Sequence, residues 1–199
     1  MNYPKTILNL IECFKKFPGI GEKTAERMAL STLDMDEDIL KLFSTSLKNV
    51  KTKIKKCEKC GSLTEEANCE ICKDETRDHS VLCVVEECKN VILFEKIGSF
   101  RGIYHVLGGL ISPLEGINPE DIHIDKLIDR IKKEKIKEVI LAIKPSIEGE
   151  TTALYISKTL EGEDVTVSKI AHGIPIGAEI DYIDPLTLER AIEDRRAIS

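Results

Sequence analysis

The sequence predicts a multi-module α+β protein with a helical N-terminal module, a four-cysteine module, an α/β domain with a mostly parallel sheet, and a short C-terminal segment. Three observations support this fold class. Apolar residues recur at helical spacing before residue 57, four cysteines follow, and strand-like and helix-like runs alternate from residue 80. Such a β-α-β order is typical of a parallel sheet covered by helices. We expect the modules to span residues 1–56, 57–72, 79–174 and 175–199.

The N-terminal module is predicted to contain three helices. The first covers residues 4–16, the second begins at about Glu22, and the third covers residues 36–56. Each has apolar residues at the three- and four-residue spacing of a helix with one buried face. The apolar faces consist of Ala25, Met28 and Ala29 in the second helix and of Ile39, Leu42, Phe43, Leu47 and Val50 in the third.

Between the first two helices, residues 18–25 have the sequence P-G-I-G-E-K-T-A, which resembles the helix-hairpin-helix motif that binds a DNA backbone. Gly19 and Gly21 permit a tight hairpin with outward amide groups, and the positive end of the next helix also attracts a phosphate. Lys23 and Arg27 lie one turn apart and can pair with neighbouring phosphates, contacts that carry no sequence information. The alternative is an ordinary turn between two helices.

Charge is distributed unevenly along the 199 residues, of which 42% are hydrophobic and 32% charged. Residues 1–79 hold 14 basic and 14 acidic side chains, so residues 80–199 carry the whole net charge of −6. Seven lysines lie within residues 41–59, where Glu58 is the single acid. A positive segment on an acidic protein indicates anion binding on one face, although a solvated helix face also explains a lysine run.

The cysteine module indicates a structural zinc site. Two C-x-x-C pairs separated by eight residues can complete a tetrahedron around one Zn²⁺ per chain, with no position left for water. The alternative is a pair of disulfides, which is less compatible with a chain that shows no secretion signal. Two further cysteines, Cys13 and Cys83, lie in apolar patterns and are expected in the core. The predicted zinc ligands are Cys57, Cys60, Cys69 and Cys72.

The region from residue 80 is predicted to alternate strands and helices. Apolar, β-branched runs indicate the strands, and helical periodicity indicates the helices between them. The predicted strands are residues 81–85, 103–107, 139–143 and 165–170. The predicted helices are residues 91–97 and 151–160, and Leu127, Ile128 and Ile131 mark another helix between them.

Acidic residues after two of these strands resemble the Toprim domain of topoisomerases and primases. That domain has a glutamate after its first strand, here Glu86, and a D-x-D motif after a later one, which together hold Mg²⁺. Here Lys144 and Ser146 replace the two aspartates, and an ammonium group repels Mg²⁺. We therefore expect metal catalysis to be lost. Glu86, Glu148 and Glu150 are expected to orient loops or meet a partner, or else only to mark the fold.

The motifs together resemble the RecR family of recombination mediators across essentially the whole chain. Residues 104–117 contain the family's Y-H-V-L-G-G signature, and residues 148–153 and 172–177 are similar to two further family segments. One departure is Lys144, where many members carry asparagine. Residues 179–184 resemble the family's Walker-B-like segment. The chain has no G-x-x-x-x-G-K-[ST] phosphate loop, so Asp184 is expected to be structural or intersubunit.

The resemblance implies a non-catalytic, ring-shaped homotetramer that encircles single- or double-stranded DNA. It implies that the chain acts with RecO, and in some settings RecF, to help RecA replace single-strand binding protein at gaps. No small-molecule substrate is expected. No apolar run approaches the roughly 20 residues of a membrane helix, and residues 1–5 show no signal peptide. We therefore expect a cytoplasmic, nucleoid-associated protein.

Two other hypotheses belong to different functional classes. The first is a metal-dependent enzyme, a Toprim nuclease or primase relative, which aspartates at positions 144 and 146 would have favoured. The second is a structural zinc protein that does not touch DNA. The hairpin glycines and the lysine-rich segment argue against it, and salt-dependent DNA binding would separate the two cases.

Overall fold

A computed structural model describes residues 3–171 and 173–195, so His172 of the family segment 172–177 lies outside the described residues. The chain forms two compact units, residues 1–54 and 55–199. The helices are α1 (Lys5–Phe14), α2 (Glu22–Ser31), α3 (Glu37–Lys53), α4 (Glu70–Lys73), α5 (Cys88–Ile97), α6 (Ile124–Glu134), α7 (Ile147–Thr159) and α8 (Pro185–Glu193). The strands are β1 (Lys55–Lys56), β2 (Leu63–Thr64), β3 (Asp78–Val85), β4 (Gly102–Val106), β5 (Glu138–Ala142) and β6 (Thr166–Lys169).

In the first unit, α1 and α2 pack together around a small core. Ile11 and Phe14 of α1 meet Ala25 and Ala29 of α2, whose short side chains let the helices approach closely. This packing confirms that the two alanines face inward. The prediction that Cys13 lies in the core is wrong, because the face of α1 that carries it is exposed.

Helix α3 differs from its prediction in length and in packing. It ends at Lys53, because residues 55–56 instead pair in antiparallel register with residues 63–64. No residue of α3 is buried within the part of the chain that the structure describes. Its apolar stripe is present but exposed, and consists of Ile39, Leu42, Phe43, Leu47 and Val50.

The second unit is built on a four-stranded, fully parallel sheet with the order β4-β3-β5-β6. Its central strand β3 is buried on both faces. Leu82 and Val84 belong to the larger apolar cluster, which includes residues of α6 and α7. Cys83 and Val85 belong to a smaller cluster with Val91 of α5. The predicted parallel α/β domain is therefore confirmed.

Two helices of this unit begin earlier than predicted. Helix α5 begins at Cys88, and α7 begins at Ile147 instead of residue 151. Ser146 caps α7, because its Oγ accepts a hydrogen bond of 3.2 Å from the Gly149 amide. At Gly149 a Cβ atom would lie 2.0 Å from the carbonyl oxygen of Lys144. Glycine is therefore required where the first turn of α7 approaches the end of β5.

The C-terminal segment consists of a short 3-10 turn, Ile180–Tyr182, followed by α8. Among its described residues none is buried. Large apolar side chains are instead exposed, with Ile176 fully accessible and Tyr182 85% accessible. None of the described helices is both long enough and apolar enough to cross a membrane.

Candidate metal centre and nucleic-acid interface

The four predicted zinc ligands converge at one buried point. Their Sγ atoms all lie within 4.8 Å of one another, and the Sγ atoms of Cys60 and Cys69 are 3.5 Å apart. The β1–β2 hairpin carries the first pair, and α4 supplies Cys72. Two backbone amides point at sulfur: that of Cys69 lies 3.3 Å from the Sγ of Cys57, and that of Ser62 lies 3.5 Å from the Sγ of Cys60.

This donor set fits one structural zinc ion. Contact with the sulfur atoms of Cys69 and Cys72, together with burial, raises the pKa of Cys60 well above its usual range. Several thiolates cannot share so small a volume unless a divalent cation offsets their charge. The amide hydrogen bonds supply the outer contacts that orient thiolate ligands. Because all four ligands are cysteines, no coordination position remains for a reacting water.

The zinc module, which comprises β1, β2 and α4, is anchored to the α/β domain through the last residue of β4. The Val106 amide donates a hydrogen bond of 2.8 Å to the carbonyl oxygen of Cys60. The Cys88 thiol lies 3.4 Å from the carbonyl oxygen of Gly61, and the side chain of Ile71 packs against both the cysteine cluster and the α5 side of the sheet. A metal ion that orders Cys60 would therefore also order the end of β4.

The hairpin between α1 and α2 has the geometry that the motif predicts. Gly19 has φ +78°, a left-handed conformation that favours glycine, and Gly21 is the N-cap of α2. Ile20 is partly buried against the core between the two helices. A Cβ atom on either glycine would meet nothing within 4 Å. The outer side of the hairpin is therefore open to a ligand.

The acidic residues of α2 near the hairpin have partners other than Lys23 and Arg27. Glu22 in the first turn of α2 forms an ion pair of 2.7 Å with Lys15, and Glu26 accepts a hydrogen bond from a tyrosine hydroxyl. Lys23 and Arg27 are exposed, and neither forms an ion pair with any residue that the structure describes. The start of α2 thus combines free amide groups, a positive dipole end and two available side-chain cations.

The Toprim-like edge of the sheet carries its own cation. Since β3 and β5 are paired in parallel, with Val85 opposite Ala142, Glu86 and Lys144 follow neighbouring strands. The Nζ atom of Lys144 lies 3.3 Å from a carboxylate oxygen of Glu86. The ammonium group thus neutralises the glutamate that a Toprim enzyme uses to hold Mg²⁺.

The other two acids of this edge lie in the first turn of α7. The Ser146 hydroxyl donates to Glu148, which lowers the pKa of that carboxyl group, and Lys169 lies 2.9 Å from Glu150. Within the described residues, the four cysteines are the one group of metal ligands that converges. Glu86, Glu148 and Glu150 do not form a second such group.

Asp184 of the Walker-B-like segment has a local structural contact. Its carboxylate caps α8, accepting hydrogen bonds of 3.0 Å from the Thr187 amide and 2.7 Å from the Thr187 hydroxyl. These hydrogen bonds lower the pKa of Asp184. The N-cap geometry accounts for an aspartate at this position without a nucleotide ligand.

Comparison with known proteins gives matches along the whole chain. The family profiles of the RecR helix-hairpin-helix, the RecR four-cysteine zinc finger domain, the Toprim domain and the RecR C-terminal region match residues 7–51, 54–74, 80–171 and 173–196. The chain is 49% identical over 195 residues to Recombination protein RecR of Staphylococcus saprophyticus. That alignment covers 98% of each protein.

Proposed function

The chain belongs to the RecR family, and we propose that within DNA recombination and repair it acts as a non-catalytic mediator that helps RecA load at single-stranded gaps. The observation that carries this proposal is the open hairpin before α2. Its amide groups, Lys23 and Arg27 offer phosphate contacts that no described residue occupies. Gly19 and Gly21 let the sugar-phosphate backbone approach this surface.

The state of the Toprim-like edge supports a mediator over a nuclease or a primase-like enzyme. Two-metal phosphoryl transfer needs several carboxylates around the ions. Here Lys144 holds Glu86, while Glu148 and Glu150 lie on a helix turn with partners of their own. We propose that these three acids order the loops at this edge of the sheet or contact a protein partner.

Exposed apolar surfaces support assembly into a homotetrameric ring. The stripe on α3 and the side chains of the C-terminal segment are too large and too apolar to be stable in water as isolated patches. Two separate patches on each chain can provide two kinds of self-complementary contact, which are enough to close a ring of four chains. Repetition of the hairpin around such a ring makes the grip on DNA multivalent.

The partners follow from family membership. We propose RecO, and in some settings RecF, as the proteins that bind this ring, and single- or double-stranded DNA of any sequence as its nucleic-acid ligand. The chain has no proposed small-molecule substrate. Because chromosomal DNA is its ligand, the proposed site of action is the nucleoid in the cytoplasm.

The direct test of the DNA-binding hairpin is a salt titration of DNA binding by Lys23→Ala with Arg27→Ala. Removal of phosphate contacts should weaken binding to all sequences alike and flatten the slope of log affinity against log salt by about one unit for each phosphate that the variant no longer neutralises. Zinc content and molar mass should stay unchanged. Wild-type affinity and slope in the double variant would show that the hairpin is not the DNA-binding surface.

A further inference from the structure

A second group of cations lies within the unit formed by residues 55–199. Lys56 is the last residue of β1 in the zinc module, His123 immediately precedes α6, and Lys126 lies in the first turn of α6. The side chains of Lys56 and His123, which are far apart in sequence, meet at Gly108, and Lys126 follows His123 by three residues on the first turn of α6. We name Lys56, Gly108, His123 and Lys126 the Gly108 cluster.

The geometry of the cluster centres on the glycine. A Cβ atom built on Gly108 would lie 3.8 Å from the Nζ atom of Lys56 and 3.8 to 3.9 Å from the ring of His123. Both side chains therefore flank the exposed Gly108. The next amide group, of the partly exposed Gly109, donates no hydrogen bond to any residue that the structure describes.

The electrostatic environment of the cluster is positive. Burial, followed by the charges of Lys126 and Lys56, lowers the pKa of His123. Neither lysine forms an ion pair within the described part of the chain. The nearby lysines Lys59 and Lys132 differ, since they pair with Glu134 at 3.2 Å and with Glu163 at 2.8 Å.

The cluster is held in place by the core of the domain. The His123 amide donates to the carbonyl oxygen of Leu107 at 3.0 Å, and the carbonyl oxygen of His123 lies 3.0 Å from Nε2 of the buried His105. On the other side, Lys56 adjoins the zinc ligand Cys57. Positioned cations of this kind bind an anion with little loss of conformational entropy.

We propose that the Gly108 cluster is a second contact for the sugar-phosphate backbone of nucleic acid, formed jointly by the zinc module and the Toprim domain. Two ammonium groups without ion pairs among the described residues, an imidazole and the Gly109 amide match a phosphodiester, which offers acceptors and one negative charge. The net acidity of residues 80–199 makes this local positive charge distinctive. The inference rests on the proposed function, because it assumes that the protein binds DNA.

The test compares DNA binding of four full-length proteins with a labelled oligonucleotide of mixed sequence at several salt concentrations. These are the wild type, Lys23→Ala with Arg27→Ala, Lys56→Gln with Lys126→Gln, and the matched control Lys132→Gln with Lys133→Gln. The control removes the same charge, from the helix α6 that also carries Lys126. Both control lysines already have acidic partners, Glu163 at 2.8 Å and Asp129 at 3.6 Å.

We expect the Lys56 and Lys126 variant to bind more weakly and to show a flatter salt slope. The ratio of wild-type affinity to variant affinity should fall as salt rises from about 50 to 200 mM, by about threefold for each phosphate that the variant no longer neutralises. The control should match the wild type, and all four proteins should keep their zinc. Equal behaviour of cluster variant and control, with normal weakening in the hairpin variant, would overturn the Gly108 cluster while leaving the proposed function intact. A wild type that does not bind DNA would overturn both.

A histidine NMR titration separates nucleic acid from a simple anion. The chain has four histidines, so the His123 ring signal can be assigned with His123→Gln. It should move when a thymidine oligonucleotide is added, and not with an equal concentration of inorganic phosphate. An equal response to phosphate alone would contradict a nucleic-acid surface.

Discussion

At the scale of the residue, Lys144 opposes binding of Mg²⁺ at the end of the parallel sheet. An ammonium group 3.3 Å from Glu86 satisfies that carboxylate and places positive charge where a Toprim enzyme needs Mg²⁺. The same edge can still support a partner interaction, because Glu148 and Glu150 lie at the start of α7. Because Lys144 and Ser146 replace both aspartates of the D-x-D motif, we propose that the chain keeps the Toprim fold without its metal chemistry.

Individual chemistry-bearing residues were predictable where local spacing determines their role. The zinc ligands follow from two C-x-x-C pairs, and their convergence is confirmed. The environment of Cys13 was not predictable from an apolar pattern, because the helix buries a neighbouring face. The proximity of Lys56 and His123 leaves no local signal either, since the fold brings together residues from distant parts of the chain.

The buried His105 predicts a specific loss of stability in acid. Burial lowers its pKa from 6.5 to about 4, because the charged ring loses its hydration in the core and the hydrogen bond to the carbonyl oxygen of His123 offsets only part of that loss. The unfolded chain binds the proton more tightly than the folded chain does. The stability that comes from keeping His105 neutral should therefore be complete above pH 6.5. It should fall by about 3 kcal/mol as the pH drops through about 4.

Urea unfolding of the wild type and of His105→Gln at several pH values between about 4 and 7 measures this effect. Glutamine can keep the hydrogen bond to the carbonyl oxygen of His123 but cannot titrate. The difference in the free energy of unfolding between the wild type and His105→Gln should shrink as the pH falls. Parallel pH profiles for the two proteins would contradict a neutral, buried His105.

At the scale of the element, glycine and serine explain why α7 was predicted too short. Residues 146–150 combine a serine, two acids and a glycine, which is typical of a loop. The serine is instead an N-cap, and Gly149 is required by the close approach to the carbonyl oxygen of Lys144. The long, strongly patterned strands were predicted to within a few residues, because burial on both faces gives a continuous apolar run.

Zinc binding should keep the end of the neighbouring strand β4 ordered. Cys72→Ser removes a metal ligand, and the Cys60 carbonyl that accepts from the Val106 amide should then become mobile. We expect less than one zinc per chain and faster hydrogen exchange at the Val106 amide. Cys13→Ser, which replaces an exposed cysteine, should change neither quantity. Full zinc content in Cys72→Ser would show that this cysteine is not a ligand.

At the scale of the whole molecule, the exposed apolar surfaces need to be covered. The α3 stripe and the large apolar side chains of the C-terminal segment are both exposed, and the sequence pattern alone does not show what packs against an amphipathic helix. We propose that self-association covers both surfaces. The count of four is an implication of family membership and stays a prediction.

We expect the molar mass in solution to be four times the chain mass of 22.3 kDa. Leu42→Glu in α3 and Tyr182→Glu in the C-terminal segment should each halve the assembly, because each removes one of the two interfaces. Leu114→Glu is the matched control, since Leu114 is 99% exposed and belongs to neither surface. Sedimentation that finds a wild-type monomer at tens of micromolar would argue against the ring.

The central claim is that this protein helps other proteins act on DNA and does not itself transform DNA. The most direct measurement is the rate at which RecA assembles on gapped DNA coated with single-strand binding protein, with RecO present and the chain added or omitted. We expect faster assembly with the wild type, slower assembly with Lys23→Ala and Arg27→Ala, and no cleavage of DNA or hydrolysis of ATP by the chain alone. Unchanged RecA assembly, or Mg²⁺-dependent cleavage abolished by Glu86→Ala, would contradict it.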